Sequence, residues 1–251
     1  MREERDVTAT VAARAGGRPA STWDRPLRLT ALYNEHVARG ATLAERDGWL
    51  IPIVYRDRNE DAATLRQAAG LLDIGDGGKV DVKGADLDAV LATAYPGAEP
   101  VGVGRAADLG AQGAAACRLT AEQALILTSP PALAGTVTRL EGAAAARACT
   151  HVTDVTSALC GLRVVGPNAP AVLERLTSVE LAPRRFGQGA AAQAAVAKVH
   201  ALIARRDRGG LAGYDLYVDL DLGVYLWRSL LEAGAPLGLR QVGRDAEGAL
   251  S

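Results

Sequence analysis

Aromatic residues are scarce in this chain: Phe, Trp and Tyr together make up 4% of it, with a single Phe and a single Met. A core built on aromatic rings or thioethers is therefore excluded, and the interior must come mainly from Ala, Leu and Val. Histidine is rarer still. His36, His151 and His200 stand far apart, with none of the short spacings that gather imidazoles round an ion, so no metal is expected. Cys117, Cys149 and Cys160 lack CxxC spacing and cannot all pair, which reads as reduced thiols in a cytoplasmic protein. No stretch reaches the roughly 18 consecutive apolar residues of a membrane span. The opening MREERD lacks the basic-then-apolar order of a secretory signal. An excess of one charge is missing as well: 28 Lys and Arg stand against 29 Asp and Glu, which speaks against a nucleic-acid partner.

What is present is a chain of 251 residues, 49% hydrophobic, long enough to bury a substantial core. Residues 1–28 show no sustained apolar face and read as a disordered tail, leaving 29–251 as the folded domain. LRLTALYNEHVAR, residues 27–39, predicts a helix capped by Thr30 and ended by Gly40. Residues 49–55 are β-rich, with Pro52 marking an edge or irregular strand. Residues 60–72 (EDAATLRQAAGLL) read as a helix with Leu65, Ala69 and Leu72 on one side.

Residues 79–83 alternate with period two, Gly84 turns the chain, and a helix follows over 86–93. The same unit returns: residues 162–165, Gly166, then a helix over 169–176. Superposing the two glycines puts Val82 on Val164, Val90 on Val172 and Leu91 on Leu173. This strand–Gly–helix repeat predicts a pseudo-symmetric α+β domain of antiparallel sheets flanked by helices. Between the units, residues 102–116 read as loop, 124–128 as a strand, Pro130-Pro131 as a break, and the stretch to Arg147 as a helix. Residues 193–205 hold a β-rich run joined through Gly209-Gly210 to a strand over 214–218. A helix over 222–233 ends at Gly234, and residues 244–251 begin one more.

Generic motifs are thin. Gly102-Val103-Gly104 nearly fits a dinucleotide fingerprint, but no strand leads into it and no acid follows at the required distance. Gly75-Asp76-Gly77-Gly78-Lys79 is too short for a phosphate loop and reads as a tight turn whose N–H groups can line a pocket. Cys149 and His151 share a strand face, a spacing that permits a thiol–imidazole contact.

Taken in order, however, the motifs resemble one family. Leu32-Tyr33-Asn34-Glu35-His36-Val37, Gly48-Trp49 with Pro52 and Tyr55, Ala69-Gly70-Leu71-Leu72-Asp73, and Gly78-Lys79-Val80 with Gly84 are similar to the N-terminal part of the aminomethyltransferases, the T-proteins of glycine cleavage. The likeness resumes at Asp154-Val155-Thr156, at the segment from Leu162 to Pro167, at Gly213-Tyr214-Asp215, at Leu226-Trp227 and at Gly238-Leu239-Arg240. Residues 150–240 resemble in particular the γ subunit of heterotetrameric sarcosine oxidase. The resemblance implies a folate-binding fold with pseudo-symmetric halves and a C-terminal β-barrel. The sequence ends before residues that would form the barrel, so the expected fold is the folate-binding part without it.

The resemblance implies tetrahydrofolate as cofactor, yet two family carboxylates are missing. A catalytic Asp is expected where Gln112 and Gly113 stand, and a pterin-holding Glu where Leu211 stands. Pterins present paired N–H donors, and each left unpaired in a buried site costs about 1–3 kcal/mol. Three functions stay open: one-carbon transfer with tetrahydrofolate on a small molecule, a repurposed folate-independent enzyme using the same cleft, and a non-catalytic subunit of a flavin amine oxidase. Asp76 and Arg240 are the candidate catalytic groups, and Trp49 and Tyr55 the candidate ring-stacking groups for the cofactor. The expected partner is a small molecule, with a protein chain or a second copy covering the open cleft.

Overall fold

The computed structural model describes residues 27–110 and 113–250. The reading of a disordered tail falls almost wholly on residues outside that range. Of its last two positions, Arg28 begins a two-residue strand, β1 (Arg28–Leu29). The predicted helix over 27–39 is correspondingly shorter. Helix α1 runs Tyr33–Ala38, and Thr30 donates its hydroxyl to Asp73 rather than capping.

Strands β2 (Thr42–Arg46) and β3 (Trp49–Val54) form a hairpin, and β1 adds to β3, so β3 is central rather than an edge. Pro52 is tolerated because β1 pairs only with Trp49 and Leu50, and because Pro52 faces a register shift at Thr42/Leu43.

Helix α2 (Arg58–Gln67) is capped by Asp57, whose carboxylate accepts from the N–H groups of Asn59 and Glu60. It stops five residues earlier than the periodicity suggests. Ala69, Gly70, Leu71, Leu72 and Asp73 form strand β4 (Ala69–Asp73), buried along its whole length. A continuous apolar run carries no period, and here tertiary burial decided for strand.

The rest is built on the repeat. Strand β5 (Gly78–Gly84) leads through Gly84 into α3 (Leu87–Ala94). Strand β10 (Leu159–Val165) leads through Gly166 into α5 (Ala169–Glu174). Both glycines have φ beyond +130°, and an added Cβ would lie 2.0 Å from the Cys149 carbonyl oxygen or 2.5 Å from that of Ala68.

Around β5 lie β6 (Ala106–Asp108), β7 (Ala115–Thr120), β8 (Gln123–Thr128) and β9 (Thr150–Asp154), in the order β6-β7-β8-β5-β9. Around β10 lie β11 (Ala191–Val196), β12 (Val199–Arg205), β13 (Gly213–Asp219), β4 and β14 (Leu239–Gln241), in the order β11-β12-β13-β10-β4-β14. The five strands of the first order match the first five of the second, and β14 is an addition at the edge of the larger sheet. Each half lends a strand to the other: β4 precedes β5 but pairs with β10, and β9 precedes β10 but pairs with β5. Residues 102–116, expected as loop, include β6 and the start of β7. The β-rich run after residue 193 is itself a hairpin turning at Ala197-Lys198, both at positive φ.

Helices α3 and α4 (Leu133–Ala144) cover the outer face of one sheet. Helices α5 and α6 (Gly223–Gly234) cover the other. The inner faces meet across a small apolar layer that includes Cys117, Leu125, Leu127, Leu202 and Tyr217. A last helix, α7 (Arg244–Gly248), packs beside α2 and β3.

Candidate functional site

Strand alternation decides what enters the junction between the sheets. On β5, Val80 and Val82 face α3 and α4, so Lys79 and Asp81 face inward. On β10, Leu162 and Val164 face α5 and α6, so Arg163 faces inward. On β13, Asp215 and Tyr217 do the same. The repeat superposes Asp81 on Arg163, so corresponding positions carry opposite charges. Two cavities result, and Tyr217 lines both. One, of about 380 Å³, has Asp81, Asp219, Gln123 and His200 in its wall. The other, of about 190 Å³, is lined by four cations, Lys79, Arg163, Arg206 and Arg244, with Ser129, Tyr217 and Gly113. No carboxylate lines this second cavity among the described residues.

Its cations are held very differently. Arg163 and Asp215 are cross-strand partners, and the guanidinium grips the carboxylate through two nitrogens, Nε to Oδ1 at 2.5 Å and Nη2 to Oδ2 at 2.8 Å. Its Nη1 donates to Glu247 on α7. Burial opposes charge on both groups, but each stabilises the other. The Asp215 carboxyl is therefore held below the ordinary carboxylate range and Arg163 above its usual value.

Lys79, 1% exposed, donates to the carbonyl oxygens of Gly75 at 2.8 Å, Gly77 at 2.6 Å and Thr156 at 3.2 Å. These bonds tie the glycine-rich turn to the following strand. Burial brings its pKa down to about 8. Arg244 donates to Asp76 Oδ1 at 2.8 Å and to the Asp73 carbonyl at 3.1 Å. Burial pushes the Asp76 carboxyl upward, with Arg244 opposing. Arg206 is the exception: its nearest carboxylates are Asp108 at 3.6 Å and Asp215, already gripped by Arg163, at 3.9 Å.

A separate polar network lies behind α1. The Asp73 carboxylate accepts from Thr30 Oγ1 at 2.5 Å and from the Gly75 N–H at 2.7 Å, and sits 2.8 Å from His36 Nε2. The other ring nitrogen of His36 lies 2.5 Å from the Tyr55 hydroxyl. Burial would raise the Asp73 pKa, but these hydrogen bonds and the neighbouring imidazole hold it down. Burial and the Asp73 charge raise that of Tyr55.

The structure does not gather the four candidate residues. Asp76 reaches the cation-lined cavity through Arg244. Tyr55 is committed to His36. Trp49 is buried beneath the Arg28 guanidinium, 5.6 Å from its ring centre, and lines a different cavity with Thr30 and Cys160. Arg240 is exposed on β14, outside the lining of the cation-lined cavity. Leu211 packs against an apolar cluster with Leu65, Leu72, Val165 and Val242. Gly113 lies in the cavity wall, while Gln112 lies outside the described residues. Sequence reading missed Arg163, Arg206 and Arg244. For Arg163 a signal existed, since a lone guanidinium inside the run LCGLRVV must find a buried acid.

Comparison with known proteins agrees with this architecture. The GCVT N-terminal domain family matches residues 32–251. The aminomethyltransferase of Streptomyces avermitilis is 33% identical over 220 residues, covering 84% of this chain and 59% of that protein. That of Moorella thermoacetica is 32% identical over 244 residues, covering 89% and 63%. The chain thus spans about three-fifths of the length of these relatives. Among solved structures, glycine cleavage system aminomethyltransferase T from Bartonella henselae superposes with a TM-score of 0.76 at 21% identity, over 89% of this chain and 62% of that one. A chain of the heterotetrameric sarcosine oxidase from Corynebacterium does so with 0.65 at 19% identity, over 86% and 98%. With the paired sheets, the glycine-turned repeat and this match along nearly its whole described length, the chain belongs to the GCVT N-terminal domain family.

Proposed function

We propose that this chain is an enzyme that handles a small molecule in the cation-lined cavity and does so without tetrahydrofolate. The observation that carries this reading is the lining itself. A pterin offers paired N–H donors and needs an acceptor such as a carboxylate, whereas this wall presents guanidinium and ammonium groups. At the two positions where the family resemblance calls for carboxylates, Leu211 belongs to an apolar cluster and Gly113 has no side chain. The residues present do not fit a pterin held in that way. Within the cavity wall, Lys79 gives its N–H groups to the Gly75, Gly77 and Thr156 carbonyl oxygens and so fixes the glycine-rich turn. Arg163 and Arg244, pinned by Asp215 and Asp76, supply fixed positive charge.

The competing reading is the one-carbon transfer with tetrahydrofolate, supported by the 33% identity to an aminomethyltransferase. Anaerobic calorimetric titration with tetrahydrofolate separates the two. We expect no binding to the natural protein at micromolar ligand. A dissociation constant in the micromolar range would overturn the proposal. A Leu211→Glu variant that gains binding would place the pterin pocket and its missing acceptor at that position.

A further inference from the structure

We propose that the cation-lined cavity is a binding site for the oxyanion group, carboxylate or phosphate, of a small molecule, and that Arg206 is its anchoring residue. The inference rests on the reading of this cavity as the substrate site and adds the chemical class of the substrate. It starts from which of the four cations already have an acid. Arg163 has Asp215 and Glu247, and Arg244 has Asp76. Lys79 makes three hydrogen bonds, all to carbonyl oxygens, and no carboxylate lies within ion-pairing distance of it among the described residues. Arg206 has carboxylates only at 3.6 and 3.9 Å, beyond hydrogen-bond length, and the nearer belongs to the well-exposed Asp108.

Two of the four cations therefore lack a hydrogen-bonded carboxylate: Lys79 gives its N–H groups to carbonyl oxygens, and Arg206 is only loosely paired, with the exposed Asp108 and with Asp215, which Arg163 already holds. Charge in such a setting is costly unless it is matched, and an oxyanion entering the cavity would match it. The guanidinium of Arg206 presents a planar fork suited to two oxygens of one carboxylate or phosphate. Ser129 and Tyr217, also lining residues, carry neutral hydroxyl donors of the kind that would complement further oxygens. Its pseudo-symmetric counterpart shows the contrast: there the repeat places Asp81 where Arg163 stands, and the wall carries acids. Tyr217 lines both cavities, and the opposite charges of their walls would sort anions to the cation-lined one.

The test is calorimetric titration of the whole chain with two probes at low ionic strength, inorganic phosphate and succinate, with succinamide as the neutral isostere of the latter. We expect phosphate or succinate to bind at millimolar concentration or better, and succinamide not to bind. Whichever of the two binds more tightly assigns the oxyanion. Arg206→Gln should weaken that binding by about tenfold or more, and Arg206→Lys by less, because the charge is kept and the fork is lost. Arg206 is partly exposed and its side chain makes no hydrogen bond to the described residues, so these variants are expected to fold, and unchanged far-UV dichroism checks it. Lys83→Gln, at an exposed cation outside this cavity, should leave binding unchanged. Equal binding by the natural protein and Arg206→Gln overturns the assignment of Arg206. Absence of binding by both anions overturns the site. Either result is independent of the tetrahydrofolate titration, which tests the underlying reading on its own.

Discussion

Replacing Arg163 by Met would leave Asp215 charged, fully buried and without its bidentate partner. The structure sets the size of the loss. Removing one member of a buried ion pair costs about 3–5 kcal/mol, because the remaining charge is neither solvated nor matched. Arg206, 3.9 Å from the same carboxylate, would recover a part, which places the expected loss at about 3 kcal/mol. That is a large fraction of the roughly 5–15 kcal/mol that stabilises an ordinary domain. The loss of the Glu247 contact adds a local effect, since it ties α7 to β10. The assay is urea unfolding followed by dichroism, with the midpoint as readout and the slope as the check that the transition is unchanged in kind. The double variant Arg163→Met, Asp215→Leu removes both charges and should be clearly more stable than the single one. A single variant within about 1 kcal/mol of the natural protein, or a double variant no better than the single, would refute the reasoning.

Three further outcomes follow from the same geometry. Asp73 is held below the ordinary carboxylate range by Thr30, His36 and the Gly75 N–H, so it adds stability above its unfolded value of 3.8 that is lost as pH falls through its depressed folded value. In Asp73→Asn the protein should be less stable at neutral pH, and acid unfolding should lose that contribution. Lys79 has the opposite sign: its pKa falls from 10.5 unfolded to about 8 folded, so the unfolded chain binds more protons between those values and stability gains from this group as pH rises. The stability difference between the natural protein and Lys79→Met, measured across that interval, should move in favour of the natural protein as pH rises; a flat difference would contradict it. Gly84→Ala and Gly166→Ala should each cost more than about 1 kcal/mol in thermal or urea unfolding, because a Cβ meets backbone oxygen at 2.0 and 2.5 Å.

The repeat was legible because its cause is local. A strand that must turn at once into a helix at positive φ needs glycine, and Gly84 and Gly166 stand at the same place in both halves. The exchange of β4 and β9 between the halves leaves no local mark, since it depends on which sheet edge each strand reaches. Strand β4 was hidden for a related reason: Ala69 to Leu72 are apolar on both faces, which gives neither period, and they continue a true helix without a strong breaker. The short β1 went unseen because two residues carry no pattern. The resemblance located the family, but the chemistry of the cavity came from residues it does not address. Arg163, Arg206 and Arg244 are far apart in sequence and converge only once the two sheets face each other. Trp49 and Tyr55 stood out as aromatic rings in a chain with few, and the fold uses the hydroxyl of one in a buried network and packs the other under Arg28.

The measurement that tests the central claim most directly is a competition in one sample. The anion that binds better, phosphate or succinate, is titrated calorimetrically into the protein anaerobically, with and without tetrahydrofolate at micromolar concentration. The account predicts the same anion binding in both cases, weakened in Arg206→Gln, and no heat from tetrahydrofolate itself. Micromolar binding of tetrahydrofolate that displaces the anion would contradict it, and would return the cavity to the folate chemistry of the relatives.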